Sequence, residues 1–283
     1  MRAVFATDLS TANEQAIRSQ ATLDSLADIG VTEVHLITVV PDTVSTGLPG
    51  MSVATDAKKA LRSQQQIFEA AGFSVEGHVA RGTPHRRING FAERLHADLV
   101  IVGSRGQSPL RNRLIGSTAR NVARTAVRPL LVERIADPDS DTTVVKEHLF
   151  ENVLFATDFS SNAHRAYEFL PRLEGAAKRV TLLHVRGHEQ RDLEQSPEEA
   201  REKLAELAQP LASTYGMETT VKIREGDVTE EILAEERESD ATVTLIGARG
   251  RSRLRRLLLG STSESIVAQG NNNVLLVPPG PAR

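Results

Sequence analysis

Gly103-Ser104-Arg105-Gly106, followed after nine residues by Gly116-Ser117-Thr118, is a stretch the chain uses twice: Gly247-Ala248-Arg249-Gly250 leads, across the same nine-residue gap, to Gly260-Ser261-Thr262. Each copy follows a short apolar run, Leu99-Val100-Ile101-Val102 or Val243-Thr244-Leu245-Ile246. Such runs, nearly unbroken and rich in β-branched residues, read as buried parallel strands. Each copy ends in Gly-Ser-Thr before a helical stretch. Strand, glycine loop and helix N-terminus form the arrangement with which α/β proteins hold phosphate groups. Glycine lets the backbone come close to a ligand, and a helix start offers unpaired N–H groups at the positive end of its dipole. A single copy would read equally well as a pair of turns. Turns alone do not demand that the same gap occur twice.

The spacing Gly-x2-Gly-x9-Gly-Ser/Thr resembles the nucleotide-binding motif of the universal stress protein family, and the match is complete in both halves. The resemblance implies strand order 3-2-1-4-5 in each half, with ATP at the C-terminal ends of strands one and four, where the chain direction reverses. It places the nucleoside end of ATP against the aspartate closing strand one and adenine against the main chain after strand two. Those positions are Asp8 with Val39 and Val40, and Asp158 with Val185. Ribose and phosphates fall to Gly103, Arg105, Gly106, Gly116, Ser117 and Thr118 in one half. Gly247, Arg249, Gly250, Gly260, Ser261 and Thr262 answer them in the other. Asp8 alone also reads as an Asx-type cap on the turn into helix one. The recurrence of Ala-Thr-Asp-x-Ser at 6–10 and 156–160, beside the glycine motif, favours the ligand reading.

Around these motifs the chain runs as alternating strands and helices. Ala3–Ala6 is the first strand. Ser10 caps the following helix, with Glu14 near the capping-box position and Ala16, Leu23 and Ala27 on its apolar face up to Gly30. Val34–Val40 is strand two, and residues 41–54 are a turn-rich loop. A helix over about 55–71, strand three from Phe73 to Ala80, and a helix opened by Gly82-Thr83-Pro84 come before the glycine motif. A helix near 118–126 and strand five, Pro129–Val132, close the first half. The acidic, turn-prone segment Ala136–Asp141 reads as a linker. The plan then restarts at Val153–Ser160, and Gly226, Gly247 and Gly260 repeat Gly82, Gly103 and Gly116 at one offset of 144 positions. The expectation is two Rossmann-like α/β domains in tandem, 1–135 and 151–283, joined by a linker at 136–150 and related by a pseudo-two-fold.

Composition removes several function classes. The 283 residues carry a net charge of −3 and no cysteine. No basic field draws the chain to nucleic acid or anionic membrane, and disulfides, thiolate catalysis and thiolate metal sites are excluded. No signal-like segment precedes the first strand and no apolar run approaches the roughly 20 residues of a membrane span. The expected location is cytoplasmic. Arg111 and Arg113 in one motif gap, and Arg251, Arg253, Arg255 and Arg256 in the other, read first as solvated cationic loops, with contact to phosphate as the alternative. No aromatic residue interleaves them for base stacking. His35 and His184 read as satisfied core residues within strands. Ser117 and Ser261 lack a neighbouring base, and no His/Asp/Glu cluster has metal-ligand spacing. A divalent ion such as Mg²⁺ would arrive with the triphosphate.

The reading is therefore an ATP-binding tandem stress-response module without catalytic residues. A slow ATPase or phosphoryl-transfer enzyme on the same cradle is the alternative, and a nucleotide-free scaffold the next. Asn273 stands where the other half has Pro129, a departure that touches the start of strand five rather than the cradle. Both copies of strand five are uninterrupted apolar runs, an aggregation hazard if left as open edges. The family resemblance suggests that such edges pair, here within one chain, with a further homodimer as an additional expected assembly. A linker of about 17 residues can span several tens of ångströms, which permits it. The fragment 1–138 alone is expected to dimerise or precipitate. A soluble monomer in light scattering would count against the pairing.

Overall fold

A computed structural model describes residues 1–42, 53–104, 115–135, 148–187, 196–250 and 259–280. The chain divides into two compact units, Met1–Glu147 and His148–Arg283. Leu149 and Phe150, at the far end of the linker stretch, are both buried. Residues 43–52, which fall in the stretch 41–54 expected as a turn-rich loop, residues 188–195, the motif-gap arginines and most of the linker stretch lie outside the described residues.

The first unit contains β1 (Arg2–Ala6), α1 (Thr11–Arg18), α2 (Gln20–Asp28), β2 (Glu33–Val40), α3 (Val53–Ala70), β3 (Ser74–Arg81), α4 (Pro84–Arg94), β4 (Leu99–Gly103), α5 (Ser117–Arg124) and β5 (Leu130–Glu133). The second contains β6 (Asn152–Ala156), α6 (Ser161–Tyr167), β7 (Arg179–Arg186), α7 (Pro197–Ser213), β8 (Glu218–Glu225), α8 (Val228–Glu238), β9 (Val243–Gly247), α9 (Ser261–Gln269) and β10 (Asn273–Val277). The strands run in the order β3-β2-β1-β4-β5 in one unit and β8-β7-β6-β9-β10 in the other, the expected arrangement. Every described pair within a unit is parallel.

Burial follows position in the sheet. Leu99, Val100, Ile101 and Val102 on β4 are all buried, as a strand flanked on both sides and covered on both faces requires. β3 carries Ser74, Glu76, His78 and Arg81 and is half exposed along most of its length. That places its polar side chains where water, or one another, can satisfy them.

Three local expectations need correction. The first helix is two helices. Ser19 takes extended backbone angles (ψ 115°), and its hydroxyl accepts from the Thr22 N–H, so the side chain competes with the helix ladder and caps a new start. The break shifts the buried face to Ile17, Leu23 and Leu26, leaving Ala27 exposed and Ala16 half-buried. Glu14 is one position too late for a capping box. Ser10 accepts from Asn13 N–H, while Glu14 pairs with Arg18 at 2.8 Å. The sequence reads as one helix in the second unit with Ala163, Ala166, Leu170 and Leu173 on its apolar face, but the helix stops at Tyr167, and Leu170–Leu173 follows as a 3-10 turn containing Pro171. Ala163, Ala166, Leu170 and Leu173 nonetheless all enter the core. Asn273, unlike proline, can join the ladder as the first residue of β10, and its amide donates to Thr242 C=O at 3.1 Å.

Glu133, at the end of β5, is a buried carboxyl whose Oε1 accepts from Thr22 Oγ1 at 3.3 Å and whose Oε2 has no hydrogen-bond partner among the described residues. Burial pushes its pKa up to about 7 despite the Thr22 bond. A carboxyl that is easier to protonate folded than unfolded contributes stability that is full below its unfolded value of 4.5 and lost as pH rises through about 7. Glu133→Gln should therefore stabilise the protein at pH 8, by up to on the order of 3 kcal/mol. The gap between variant and wild-type melting curves should close on acidification toward pH 5. A gap independent of pH would show that Glu133 is not titrating in this window.

Candidate functional site

Each unit has a cavity at the C-terminal ends of its two central strands. The first, of about 620 Å³, is lined by Asp8, Val39, Val40, Gly103, Gly116, Ser117 and Thr118, all expected from sequence. Arg105 and Gly106 lie outside the described residues. The second, of about 310 Å³, brings together Asp158, Val185, Gly247, Arg249 and Gly250 with Gly260, Ser261 and Thr262. These volumes are on the scale of small-molecule sites, and apolar walls with a few convergent polar groups are their usual lining.

The floor is built by one main-chain bond. Gly116 N–H donates to Ser104 C=O at 2.7 Å, and Gly260 N–H to Ala248 C=O at 2.8 Å. This fixes the start of α5 beside the end of β4, and of α9 beside β9. In both helices the N-cap is glycine and no side chain caps the free N–H groups. By contrast, Ser10, Ser19, Ser160, Ser196 and Asp227 cap α1, α2, α6, α7 and α8 with side-chain oxygens. Among the described residues α4, which opens with Thr83-Pro84, also lacks a side-chain cap, but proline at its first position has no N–H to offer. The glycine starts of α5 and α9 are therefore the ones that bring uncapped N–H groups to the cavities.

The motif glycines do different things. A Cβ on Gly247 would come within 2.5 Å of Asn162 Nδ2 and 3.0 Å of its carbonyl, so this glycine is required by the approach of α6 to the end of β9. At Gly116 and Gly260 the φ angles are −72° and −73°, open to any residue. A Cβ there would meet nothing closer than 3.5 Å or 3.7 Å respectively. Neither conformation nor packing calls for glycine at these two positions.

Asp8 and Asp158 do form the Asx turns that the alternative reading anticipates. Asp8 Oδ1 accepts from Ser10 N–H at 3.0 Å and from Asn13 Nδ2 at 2.6 Å, and Asp158 Oδ1 accepts from Ser160 N–H at 2.9 Å. Both also line their cavities, so the turn orients the carboxylate instead of removing it from the site. The next residues, Leu9 and Phe159, have φ of 61° and 58°, a left-handed conformation rare for side chains of this size. His184 is buried, and its Nδ1 lies 2.8 Å from Thr157 C=O, as a satisfied core histidine would.

Sequence reasoning missed several lining residues. Asn13, Asp56 and Ile88 line the first cavity, and Val228 and Ile232 the second. They come from helices whose only sequence signal is their own apolar period, so nothing marked which turn would face a ligand. Asn162 was missed as well. Its amide donates to Arg249 C=O at 3.0 Å and so ties α6 to the glycine loop.

Known proteins share this organisation. The model of the "Universal stress protein family" matches residues 1–134 and again 149–278. Universal stress protein G of Shigella flexneri is 31% identical over 140 residues, covering 46% of this chain and 93% of that protein. A universal stress protein of Methanocaldococcus jannaschii is 34% identical over 77 residues, 27% of this chain and 48% of that protein, so the chain spans about half that relative's length. The crystal structure of a universal stress protein from Archaeoglobus fulgidus superposes with a TM-score of 0.75 at 25% identity, covering 99% of this chain and 98% of that one. Two cavities of one design, each under its own family match, lead to one conclusion: the chain belongs to the universal stress protein family and carries two of its domains in tandem.

Proposed function

We propose that each unit binds ATP and that the chain acts as a nucleotide-dependent regulatory module in a stress response. The observation that supports this most directly is the pair of uncapped helix starts at Gly116 and Gly260. Glycine there is demanded by neither φ nor packing, and each opens on a cavity whose other wall is apolar main chain and side chain. Unpaired N–H groups at the positive end of a helix suit phosphate, and an apolar wall suits a base. Val39, Val40 and Val185 would flank adenine, Asp8 and Asp158 would accept from ribose hydroxyls, and Gly116–Thr118 and Gly260–Thr262 would hold the phosphates. Mg²⁺ would come with the triphosphate.

Calorimetry of the nucleotide-free chain should show two ATP equivalents. Gly116→Ala is expected to remove one and Gly260→Ala the other, each by tenfold or more in affinity. Each should cost at most about 1 kcal/mol of folding stability, the usual difference between glycine and alanine at an N-cap. Binding unchanged in both variants would contradict the assignment. Gly247→Val is the less informative variant, because its contact with Asn162 makes folding fail first.

Turnover should be slow. Among the described residues lining the cavities, the only ionisable side chains are Asp8, Asp56, Asp158 and Arg249. Asp8 and Asp158 are both engaged by turn N–H groups, and phosphoryl transfer needs an oriented nucleophile as well as charge stabilisation. Hydrolysis with Mg²⁺ is expected far below the common enzyme range of about 1–1000 per second. Steady release of phosphate at about 1 per second would replace the binding module with an ATPase.

A further inference from the structure

The register between β2 and β3 assembles a constellation that plays no part in the nucleotide cavity. His35 lies opposite Glu76, and Ile37 opposite His78. Glu76 and His78 are two residues apart on one strand, so they share a face with His35. Their ligand atoms converge. His35 Nδ1 is 3.1 Å from His78 Nε2 and 3.7 Å from Glu76 Oε2, and His78 Nε2 is 3.5 Å from the same oxygen. An ion bound tetrahedrally with bonds of about 2.0–2.2 Å needs ligand–ligand edges of about 3.3–3.6 Å. The three observed edges bracket that range before any ion is added.

The surroundings are those of a metal-ligating histidine. His35 is buried, and its other nitrogen, Nε2, lies 2.7 Å from Glu33 Oε1. A neutral imidazole donating there leaves its Nδ1 lone pair turned toward His78 and Glu76. Glu33 is itself held by Arg2, whose Nε donates to Oε2 at 2.8 Å. A carboxylate behind a histidine, fixing tautomer and ring orientation, is the usual outer support of a zinc ligand. Phe91 of α4 packs on the two rings, with centroids 4.5 Å from His78 and 6.1 Å from His35, closing one side of the cluster. The other side is open: the His78 side chain is 30% exposed and that of Glu76 68%. This gives an ion a route in and a water its fourth position. Burial lowers the His78 pKa, with the nearby His35 acting in the same direction, which favours the neutral ligand form.

We propose that His35 Nδ1, His78 Nε2 and Glu76 Oε2 bind one divalent transition-metal ion of the zinc class, with Glu33 as the positioning residue behind His35. Two imidazoles and one carboxylate suit zinc better than the harder magnesium or calcium. A neutral His78 that coordinates through Nε2 carries its single proton on Nδ1. The site lies about 13 Å along β2 from the valines of the nucleotide cavity, so it does not depend on the nucleotide proposal. The second unit supplies an internal contrast. The corresponding strand positions there are Thr181, Thr220 and Lys222, and Lys222 Nζ pairs with the buried Glu235 at 2.7 Å. A cation already fills that place.

The test uses the full chain, stripped of metal and free of nucleotide, titrated with Zn²⁺ by calorimetry and with Co²⁺ by visible absorption. One equivalent with the bands of four-coordinate cobalt is expected, weakening as pH falls because metal ligands bind in their deprotonated form. His78→Ala and Glu76→Ala, at partly exposed positions, should each weaken binding more than tenfold while their metal-free circular dichroism stays that of wild type. Glu33→Ala, which touches no metal, should weaken it about 10–100-fold. No stoichiometric uptake by wild type, or uptake unchanged in His78→Ala, overturns the proposal and leaves a proton-sharing chain of hydrogen bonds.

Discussion

The bond from Gly116 N–H to Ser104 C=O, with its twin from Gly260 to Ala248, is the contact on which both cavities depend. It joins the two ends of a loop so that a helix must begin where a central strand stops. It also uses the N–H of the cap residue itself, so that the donors remaining at the helix start point away from the sheet. A serine or aspartate at the cap would have turned its own oxygen onto those donors. Glycine leaves them to whatever enters the cavity. The rest of the parallel sheet can be understood as a rigid means of holding that helix end against the carboxylate at the end of the neighbouring strand.

Most of this was legible in the sequence because it is written in local signals. The apolar runs of β1, β4, β6 and β9 announce buried strands, and the repeated Ala-Thr-Asp-x-Ser announces the turn at each strand end. The placements that failed did so where a single polar side chain outbid a periodic pattern. Ser19 broke a helix whose apolar spacing reads as continuous, and the break moved Ala27 to the surface. The His35–Glu76–His78 cluster was invisible for a different reason. Its members are brought together by strand register, a relation that linear spacing does not carry.

The two units show how far duplicated architecture can diverge without losing its frame. Strand order and the main-chain bond at the loop are kept, yet one cavity has about twice the volume of the other. At the edge of the sheet, one unit sets two histidines against carboxylates and an aromatic ring. The other buries Glu235 against Lys222 and Arg224, an ion-paired cluster in which the guanidinium also reaches Glu231 and Glu238. Removing one partner from such a buried cluster is far costlier than its presence is stabilising. The second unit has therefore committed its edge to structure, whereas the first has two imidazoles and a carboxylate there, with Glu76 exposed and His78 partly so.

The left-handed angles at Leu9 and Phe159 have an evolutionary reading. Asparagine or glycine would adopt this conformation with less strain, at a saving of about 1 kcal/mol. Both copies have instead kept a large apolar side chain beside the aspartate. In the second unit its role is visible: the Phe159 ring lies 4.6 Å from His184, with Lys203 over its face. The side chain serves as a peg, and the backbone bends to let it seat. A residue that relaxed the turn would lose the peg, so beside Asp158 the strained backbone and the seated ring go together.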